Sequence, residues 1–273
     1  MKINVLISTL NEGILQTAGI FLAPMDHIHY SVIHQITAAE YETADDYFQR
    51  SDVTLIKTYT RGLSKSRNIA IQHAVGDIGI FADDDVRYKP EYFHQIEKAF
   101  KKHPELAVAA FRIKTGEGEP AYKNYHETEL LLTSPFPHFI SSVETTFRID
   151  VIRKHDIKYD ERFGLGSGLI PSGEEGIFIN DCLKKNLEVR YFPTYIVEHP
   201  YESSGKTLDP RIMYTMTGAV DARNTGPKSV VQSFRLTVYM LPKLLRKKIN
   251  PFLFLFYKLK GNFVILFPRK KKD

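Results

Sequence analysis

The sequence has very little cysteine and no long uncharged segment. Cys182 is the single cysteine among 273 residues, which excludes an intramolecular disulfide framework and favours a reducing compartment. No run of eighteen residues is free of charged side chains, which argues against a membrane-spanning helix. The N-terminal segment lacks the long apolar region of a secretory signal peptide. We therefore expect a cytoplasmic protein whose first residues form a strand.

Acidic residues are scarce at the C-terminal end of the chain. Residues 242–273 contain ten lysines and arginines and one acidic residue. The remainder holds 27 basic and 31 acidic residues, a net charge of −4, although the whole chain is +5. The basic character therefore concerns what the tail contacts rather than the substrate of the main domain. No nucleic-acid-binding motif accompanies the basic run, so we expect no nucleic-acid partner.

Three consecutive aspartates, Asp83, Asp84 and Asp85, follow an apolar run at residues 78–82. Open α/β sheets place their ligand sites at the carboxyl ends of buried strands. Clustered carboxylates are stabilised by a cation, and ligands that offer only oxygen suit Mg2+, Mn2+ or Ca2+. The segment is therefore either a metal-binding strand end or a solvated acidic turn.

Apolar runs alternate with helical patterns over most of the chain, which predicts a mostly parallel sheet covered by helices on both faces. The predicted strands are residues 3–8, 29–34, 53–57, 78–82, 107–113, 143–149, 189–192 and 196–199. The predicted helices are residues 13–22, 65–75 with Ser64 as N-cap, 90–103 with Pro90 in the first turn, 127–132 and 174–185.

Several segments match, in order and spacing, the pattern of a known enzyme family. They are residues 3–11, residues 62–68 with Arg67-Asn68, Gly76-Asp77, Asp83-Asp84-Asp85 and Gly173-Glu174-Glu175. Together they resemble the family 2 glycosyltransferases of the GT-A fold, which are inverting enzymes that use nucleotide sugars. The resemblance implies a GT-A domain over residues 1–206, with a mostly parallel α/β sheet sandwiched by helices. Residues 207–273 would form a basic, amphipathic helical extension.

The resemblance assigns the aspartates to the sugar donor and its metal. In the family's Asp-x-Asp motif the first acid lies near the ribose and the last binds the metal, which implies these roles for Asp83 and Asp85. Asp84 would contact the donor or water. A divalent cation, Mn2+ or Mg2+, would neutralise the departing diphosphate. His199 is either a further metal ligand or an ordinary surface or core histidine, and Lys206 lies in a segment expected to close over the diphosphate.

The resemblance also implies that the catalytic base belongs to the acidic pair Glu174-Glu175, at the start of the helix after residue 173. Inversion needs a carboxylate that accepts the proton of the acceptor hydroxyl. In the family the base is the second acid of the pair, which maps onto Glu175, although the usual residue there is aspartate. Glu174 remains a rival. The alternative is that both glutamates merely stabilise the helix N-terminus.

Five further residues are candidates for donor binding. Thr9 and Asn11 end the first strand, where the family contacts the nucleotide. Arg67 and Asn68 lie in the first turns of a helix, where they either meet a base or phosphate or pair with core carbonyls and the strand aspartates. The second strand lacks the family's acidic, serine-containing end, and Gln35 is the predicted base contact instead.

The tail alternates apolar residues with cations. One helical stripe is formed by Val230, Phe234, Val238, Leu241 and Leu245. Residues 242–273 suit a helix that lies in an anionic membrane interface. The alternative is a helix packed on the main domain with a solvated basic end.

The sequence thus predicts a metal-dependent, inverting glycosyltransferase. It would move a sugar from a nucleoside diphosphate sugar, with UDP as the favoured nucleotide, to a glycan or lipid-linked acceptor, as in bacterial surface polysaccharide synthesis. The first alternative is a metal-dependent sugar-phosphate nucleotidyltransferase, although residues 8–13 lack the Gly-rich, basic phosphate loop of such enzymes. The second is a non-catalytic glycan- or membrane-binding module on the same fold.

Overall fold

A single eight-stranded sheet forms the centre of the protein. The computed structural model describes residues 1–42, 48–133, 140–202 and 209–268. The strands are β1 (Ile3–Leu10), β2 (Ile28–Gln35), β3 (Val53–Thr58), β4 (Ile78–Asp83), β5 (Leu106–Lys114), β6 (Leu130–Leu131), β7 (Thr145–Arg148) and β8 (Glu188–Glu198). The helices are α1 (Leu63–His73), α2 (Pro90–Lys102), α3 (Ile149–Lys154), α4 (Glu174–Lys184), α5 (Pro210–Thr225), α6 (Lys228–Arg246) and α7 (Pro251–Leu266).

The strand order is β3-β2-β1-β4-β7-β5-β8-β6. Strands β3, β2, β1 and β4 are parallel neighbours, as are β5 and β8, whereas β7 runs antiparallel to β4 and β5. After β3 the chain crosses to the other side of β1 and adds β4 there. The β1–β4 boundary is therefore a topological switch point, where open α/β sheets form a ligand crevice at the carboxyl ends of the strands.

Two apolar layers cover the sheet. Strand β4 alternates, with Ile78 and Ile80 in one layer beside Phe93 of α2, and Phe81 in the other beside Phe178 of α4. This two-sided burial explains the nearly continuous apolar sequence of the strand. The predicted mostly parallel α/β sheet with helices on both faces is confirmed.

Several local predictions were wrong. The helix predicted at residues 13–22 is a 3-10 helix at Asn11–Gly19. The strand predicted at residues 143–149 is limited to β7, with a 3-10 turn before it and α3 after it. Gly62, not Ser64, occupies the N-cap position of α1, with φ at +124°. Residues 130–131 form a strand instead of a helix because Glu129 is held by Arg190 and Lys102, and both leucines pair with β8. The strands predicted at 189–192 and 196–199 are one strand, β8.

Backbone packing divides the chain into two compact units. Unit 1 comprises Met1–Glu161, Leu165–Ser167 and Glu174–Tyr201, and contains the sheet with α1 to α4. Unit 2 comprises Arg162–Gly164, Gly168–Gly173 and Glu202–Asp273, and contains α5 to α7. Within the described ranges, no helix combines the length and apolar character needed to cross a bilayer.

Candidate active site

The three aspartates lie at the carboxyl end of β4, beside the end of β1. Ser8 of β1 is level with Asp83 of β4 in the parallel register. The side chains of Asp83 and Asp85 are 37% and 44% exposed, so both open toward solvent at the switch-point crevice. The sheet therefore places accessible carboxylates where this topology builds ligand sites.

Asp84 faces the loop after β1. Its Oδ2 accepts a hydrogen bond of 2.8 Å from Thr9 Oγ1. The same carboxylate lies against Gly13, where an added Cβ would overlap it. Burial raises the pKa of Asp84, and the neighbouring aspartates add to that rise. The hydrogen bond between Thr9 and Asp84 thus connects the end of β1 to the loop formed by the three aspartates, called the aspartate loop below.

Asp85 and His199 face each other at the exposed side of this loop. His199 Nε2 lies 3.5 Å from Asp85 Oδ1, a buried oxygen that accepts no hydrogen bond from the residues the structure describes. The other ring nitrogen, Nδ1, lies 2.7 Å from the carbonyl oxygen of Pro200. An Nδ1–H donated to that carbonyl leaves the Nε2 lone pair directed at Asp85. An imidazole oriented by a carbonyl beside a free carboxylate oxygen is a donor pair that fits a divalent cation.

Backbone hydrogen bonds position His199 beside Asp85. Arg87 and Glu198 form an antiparallel bridge, with both N···O distances at 2.9 Å. His199 N also donates to Lys114 O at 3.0 Å. The end of β8 is therefore tied to the chain two residues after Asp85. Among the described residues, no group of three or more His, Cys, Asp or Glu side chains is arranged to hold a metal, so Asp85 and His199 are a pair without a third such ligand in that part of the chain.

Arg67 connects the aspartates to the acidic pair. Its guanidinium is fully buried and lies 3.4 Å from Asp83 Oδ1, 3.2 Å from Glu174 Oε1 and 2.9 Å from Glu175 Oε1. It also donates to Ser142 Oγ at 2.6 Å. The surrounding carboxylates raise the pKa of Arg67 despite its burial. A permanent positive charge thus joins three acids that are distant in sequence.

The two glutamates have different surroundings although both begin α4. The Glu174 side chain is 4% exposed, and its Oε2 has no hydrogen-bond partner in the described ranges. Burial, together with the charge of Glu175, raises the pKa of Glu174 to about 8, although Arg67 opposes the shift. Glu175 is more accessible, with 14% of its side chain exposed. The pair therefore contains one largely neutral, buried acid and one accessible carboxylate that is paired with Arg67.

Asn68 is fully engaged inside the protein. Its amide nitrogen donates to Tyr159 O at 3.0 Å and Glu161 Oε1 at 3.2 Å, and its oxygen accepts from Tyr159 N at 2.8 Å. Asn68 therefore holds the 159–161 segment beside α1. The Tyr159 ring in turn lies 5.3 Å from the Arg67 guanidinium carbon. This arrangement corresponds to the structural alternative considered for Asn68 and places it one layer behind Arg67.

Asn11 and Gln35 lie at the neighbouring strand ends. Asn11 has a positive φ of 52°, and its side chain bonds both the backbone and the hydroxyl of Thr37. Gln35 is buried and donates to Thr60 Oγ1 at 3.3 Å. Their side chains join the loops that follow β1, β2 and β3. Lys206 lies outside the described residues.

Ser142 and Tyr159 are the parts of this site that sequence reasoning missed. Both contact Arg67, and neither belongs to a motif. Ser142 lies in a 3-10 turn, Ser142–Glu144, immediately before β7. The only sequence signal for Ser142 is its position just before a predicted strand, and Tyr159 has no such signal.

Comparison with known proteins agrees with this geometry. The family model described as glycosyl transferase family 2 matches residues 37–160, which include Arg67, Asn68 and the three aspartates. Over residues 37–160 the chain is thus similar to glycosyl transferase family 2. The resemblance predicted from the sequence is thereby confirmed. The match does not extend to Glu174, Glu175 or His199, whose roles therefore depend on the contacts described above.

Solved structures of S. aureus TarS share the fold. TarS 1–349 is 16% identical, with a TM-score of 0.60, and the alignment covers 81% of this chain and 65% of TarS 1–349. Its complex with UDP-GlcNAc is 17% identical, with a TM-score of 0.59 and coverages of 81% and 66%. Its complex with UDP is 14% identical, with a TM-score of 0.60 and coverages of 97% and 89%. In the first two alignments the chain spans just under two thirds of the TarS fragment. No curated protein matches the chain.

Proposed function

We propose that the protein is an inverting, metal-dependent glycosyltransferase that uses a nucleoside diphosphate sugar. The observation that carries this proposal is the Arg67 cluster, which joins Asp83 to the Glu174–Glu175 pair at the switch-point crevice. Solved TarS complexes contain UDP-GlcNAc and UDP, which supports a uridine donor. The acceptor is a hydroxyl of a glycan or of a lipid-linked sugar, as in bacterial surface polysaccharide synthesis.

Glu175 is the base in this proposal. It is the accessible member of the pair, and its carboxylate accepts the proton of the acceptor hydroxyl as the new glycosidic bond forms. Arg67 holds this carboxylate in place through a contact of 2.9 Å. Glu174 stays protonated and buried behind it, so the cluster does not accumulate a third negative charge next to the departing diphosphate.

Asp85 and His199 would hold the divalent cation, Mn2+ or Mg2+. When bound, that cation would neutralise negative charge on the leaving diphosphate. Asp83 remains available to the ribose, and Asp84 keeps the aspartate loop attached to Thr9. Asn11 and Gln35 shape the edge where the nucleotide base binds, and Asn68 supports Arg67 from behind.

A thermal-shift experiment tests the donor and the metal together. We expect UDP to raise the melting temperature in the presence of Mn2+ and much less without it. A ligand at 100 times its Kd stabilises the folded state by about 2.7 kcal/mol. Asp85→Asn and His199→Ala should lose the dependence on Mn2+, whereas His94→Ala, an exposed histidine on α2, should retain it. Absence of a shift with any nucleoside diphosphate would refute the proposal.

Product analysis separates this reaction from the other activities considered. A glycosyltransferase releases a nucleoside diphosphate from the sugar nucleotide, whereas a sugar-phosphate nucleotidyltransferase releases pyrophosphate from a nucleoside triphosphate. Release of pyrophosphate would favour the second activity. Metal-dependent UDP binding without turnover of any UDP-sugar would favour a non-catalytic binding module.

A further inference from the structure

Helix α6 of unit 2 is oriented with its apolar stripe toward solvent. Val238 and Tyr239 are 73% and 83% exposed, and the other exposed apolar residues of the helix are Val231, Phe234, Leu241 and Leu245. The buried residues of the helix are Ser229, Ser233, Thr237 and Leu244. A helix of a globular protein normally buries its apolar stripe and exposes its polar one. The arrangement in α6 is the reverse.

Helix α7 repeats this pattern. Phe252 is 82% exposed, and Leu253, Phe256, Phe263 and Phe267 are also exposed. Its buried positions are Lys258, Gly261 and Asn262 together with two apolar residues, Phe254 and Ile265. Two successive helices of unit 2 therefore present large apolar side chains outward, which is far more than the scattered exposed residues of an ordinary surface.

Polar and small residues hold the three helices of unit 2 together. Lys258 Nζ donates to Asp221 Oδ2 at 2.8 Å, and Asn262 links Ser233 of α6 to Gly218 O of α5 at 2.9 and 2.7 Å. Gly218 and Gly261 leave no room for a Cβ between α5 and α7. Small residues and internal polar pairs between helices, with apolar residues outside, are typical of helices whose surroundings are lipid.

Charge identifies the kind of surface that these helices meet. Residues 228–268 contain eight lysines and arginines and no acidic residue. Lys243, Arg246, Lys247 and Lys248 are all exposed at the end of α6. A two-fold dimer that buried this surface would bring both sets of these cations into one interface, and residues 228–268 contain no acidic residue to pair with them. An anionic bilayer instead attracts the cations and accepts the apolar side chains.

We propose that the exposed apolar residues of α6 and α7, with the adjoining basic residues, insert into the interface of an anionic lipid bilayer without crossing it. The helices lie along the surface, as expected of helices that are apolar on one side and do not combine the length and apolar character needed to span. This inference concerns unit 2 and does not depend on the proposed reaction. Attachment of this kind would place the enzyme where a lipid-linked acceptor is found.

Vesicle co-sedimentation of the full chain tests the proposal. We expect binding to vesicles of phosphatidylcholine with 30% phosphatidylglycerol, and weak binding to phosphatidylcholine alone. The triple variant V231S/F234S/V238S should lower the partition coefficient by at least about tenfold. K243Q/R246Q/K247Q should have a similar effect that diminishes as salt is added, since each cation contributes about fivefold near an anionic bilayer. All six residues are exposed, so the fold should be retained.

Matched variants of unit 1 provide the controls. L15S/V75S/L131S removes three exposed apolar residues, and K98Q/K154Q/K185Q removes three exposed lysines. Both should bind vesicles like the unaltered protein. The proposal is overturned if the unaltered protein fails to bind anionic vesicles or if the control variants lose binding equally. It is also overturned if the protein is a dimer without vesicle binding that V231S/F234S/V238S converts to a monomer, because the partner is then a second copy.

Discussion

At the scale of single residues, the Arg67 cluster shows how one fixed cation can give two adjacent glutamates different properties. Arg67 contacts both carboxylates through the same Nη1 atom, at 3.2 and 2.9 Å. One positive charge cannot offset two buried negative charges, so the more buried acid keeps its proton. Glu174 is that acid, since burial raises its pKa to about 8. The proposed assignment of Glu175, rather than Glu174, as the base therefore depends on accessibility.

Amide substitutions of the two glutamates should consequently differ in effect. Gln is isosteric with a protonated Glu, so Glu174→Gln should keep the transfer rate within about tenfold of the unaltered enzyme. Glu175→Gln removes the proton acceptor and should reduce kcat by about 10²- to 10⁴-fold. Steady-state kinetics with a UDP-sugar measures both.

The UDP-induced thermal shift provides the control for this comparison. It should be similar in both variants, because neither glutamate is assigned to donor binding. A larger loss of kcat in Glu174→Gln than in Glu175→Gln would reverse the two roles.

The sequence pointed to the acids that the structure brings close together but not to the contacts that connect them. Asp83, Asp84 and Asp85 are recognisable in the sequence because they follow an apolar strand. Glu174 and Glu175 are recognisable because they begin a helix. Arg67 is 107 and 108 residues away from the two glutamates it contacts. Contact at that separation is set by strand order and by the packing of α1 beside α4. Local sequence patterns do not indicate contacts between residues so far apart in the chain. For the same reason the sequence did not indicate Ser142.

At the scale of elements, strand β8 shows where local rules were correct and where they failed. Pro193 interrupts its apolar pattern, and a proline cannot donate a hydrogen bond to a neighbouring strand. The sequence therefore favoured two short strands. In the structure, the pairing with β5 shifts register between Ala110 and Arg112, beside this position. A bulge of this kind absorbs the proline and lets one strand continue to Glu198 and position His199.

Helix packing in unit 2 leads to a prediction about glycine. An added Cβ at Gly261 of α7 would overlap Thr215 O of α5. Gly261→Ala should therefore separate the two helices and destabilise the protein by about 1–3 kcal/mol. Gly176→Ala in α4 is the matched control, because nothing lies within 4 Å of its added Cβ. Relief of the helix penalty of glycine should stabilise this variant by about 0.5–1 kcal/mol.

Chemical denaturation of both variants gives the two changes in the free energy of unfolding. The opposite signs distinguish close packing from intrinsic helix propensity. Equal stabilisation by both alanines would mean that α5 and α7 are not in close contact at Gly261.

At the scale of the whole molecule, the two units have opposite electrostatic characters. The three aspartates, Glu174 and Glu175 all lie in unit 1, whereas residues 228–268 of unit 2 contain no acid. The average charge of +5 therefore describes neither unit. Unit 1 gathers these five acids at one site, where three of them contact the buried Arg67, and carboxylates that are brought together and buried lower the folding stability unless they are neutralised.

The pH dependence of the free energy of unfolding should show the destabilising effect of these clustered carboxylates. Glu174 binds its proton more tightly in the folded state, with a pKa of about 8, than in the unfolded state, where a glutamate has a pKa of about 4.3. Between these values the folded protein holds more protons than the unfolded chain. The free energy of unfolding must then fall as pH rises. The stabilising contribution is complete below about pH 4.3 and is lost by the time the pH has passed 8.

Glu174→Gln isolates this contribution because an amide does not titrate. Between pH 6 and pH 8.5 the unaltered protein should lose more stability than Glu174→Gln does. For each kcal/mol by which the two losses of unfolding free energy differ, the falls in melting temperature should differ by about 2–4 °C. Melting curves in the absence of metal and nucleotide measure it, and Glu105→Gln at an exposed glutamate controls for the loss of a surface charge. Parallel pH profiles of the unaltered protein and Glu174→Gln would show that Glu174 is ionised throughout. The acidic pair would then carry two negative charges beside Arg67, and Glu174 would again be a rival for the role of base.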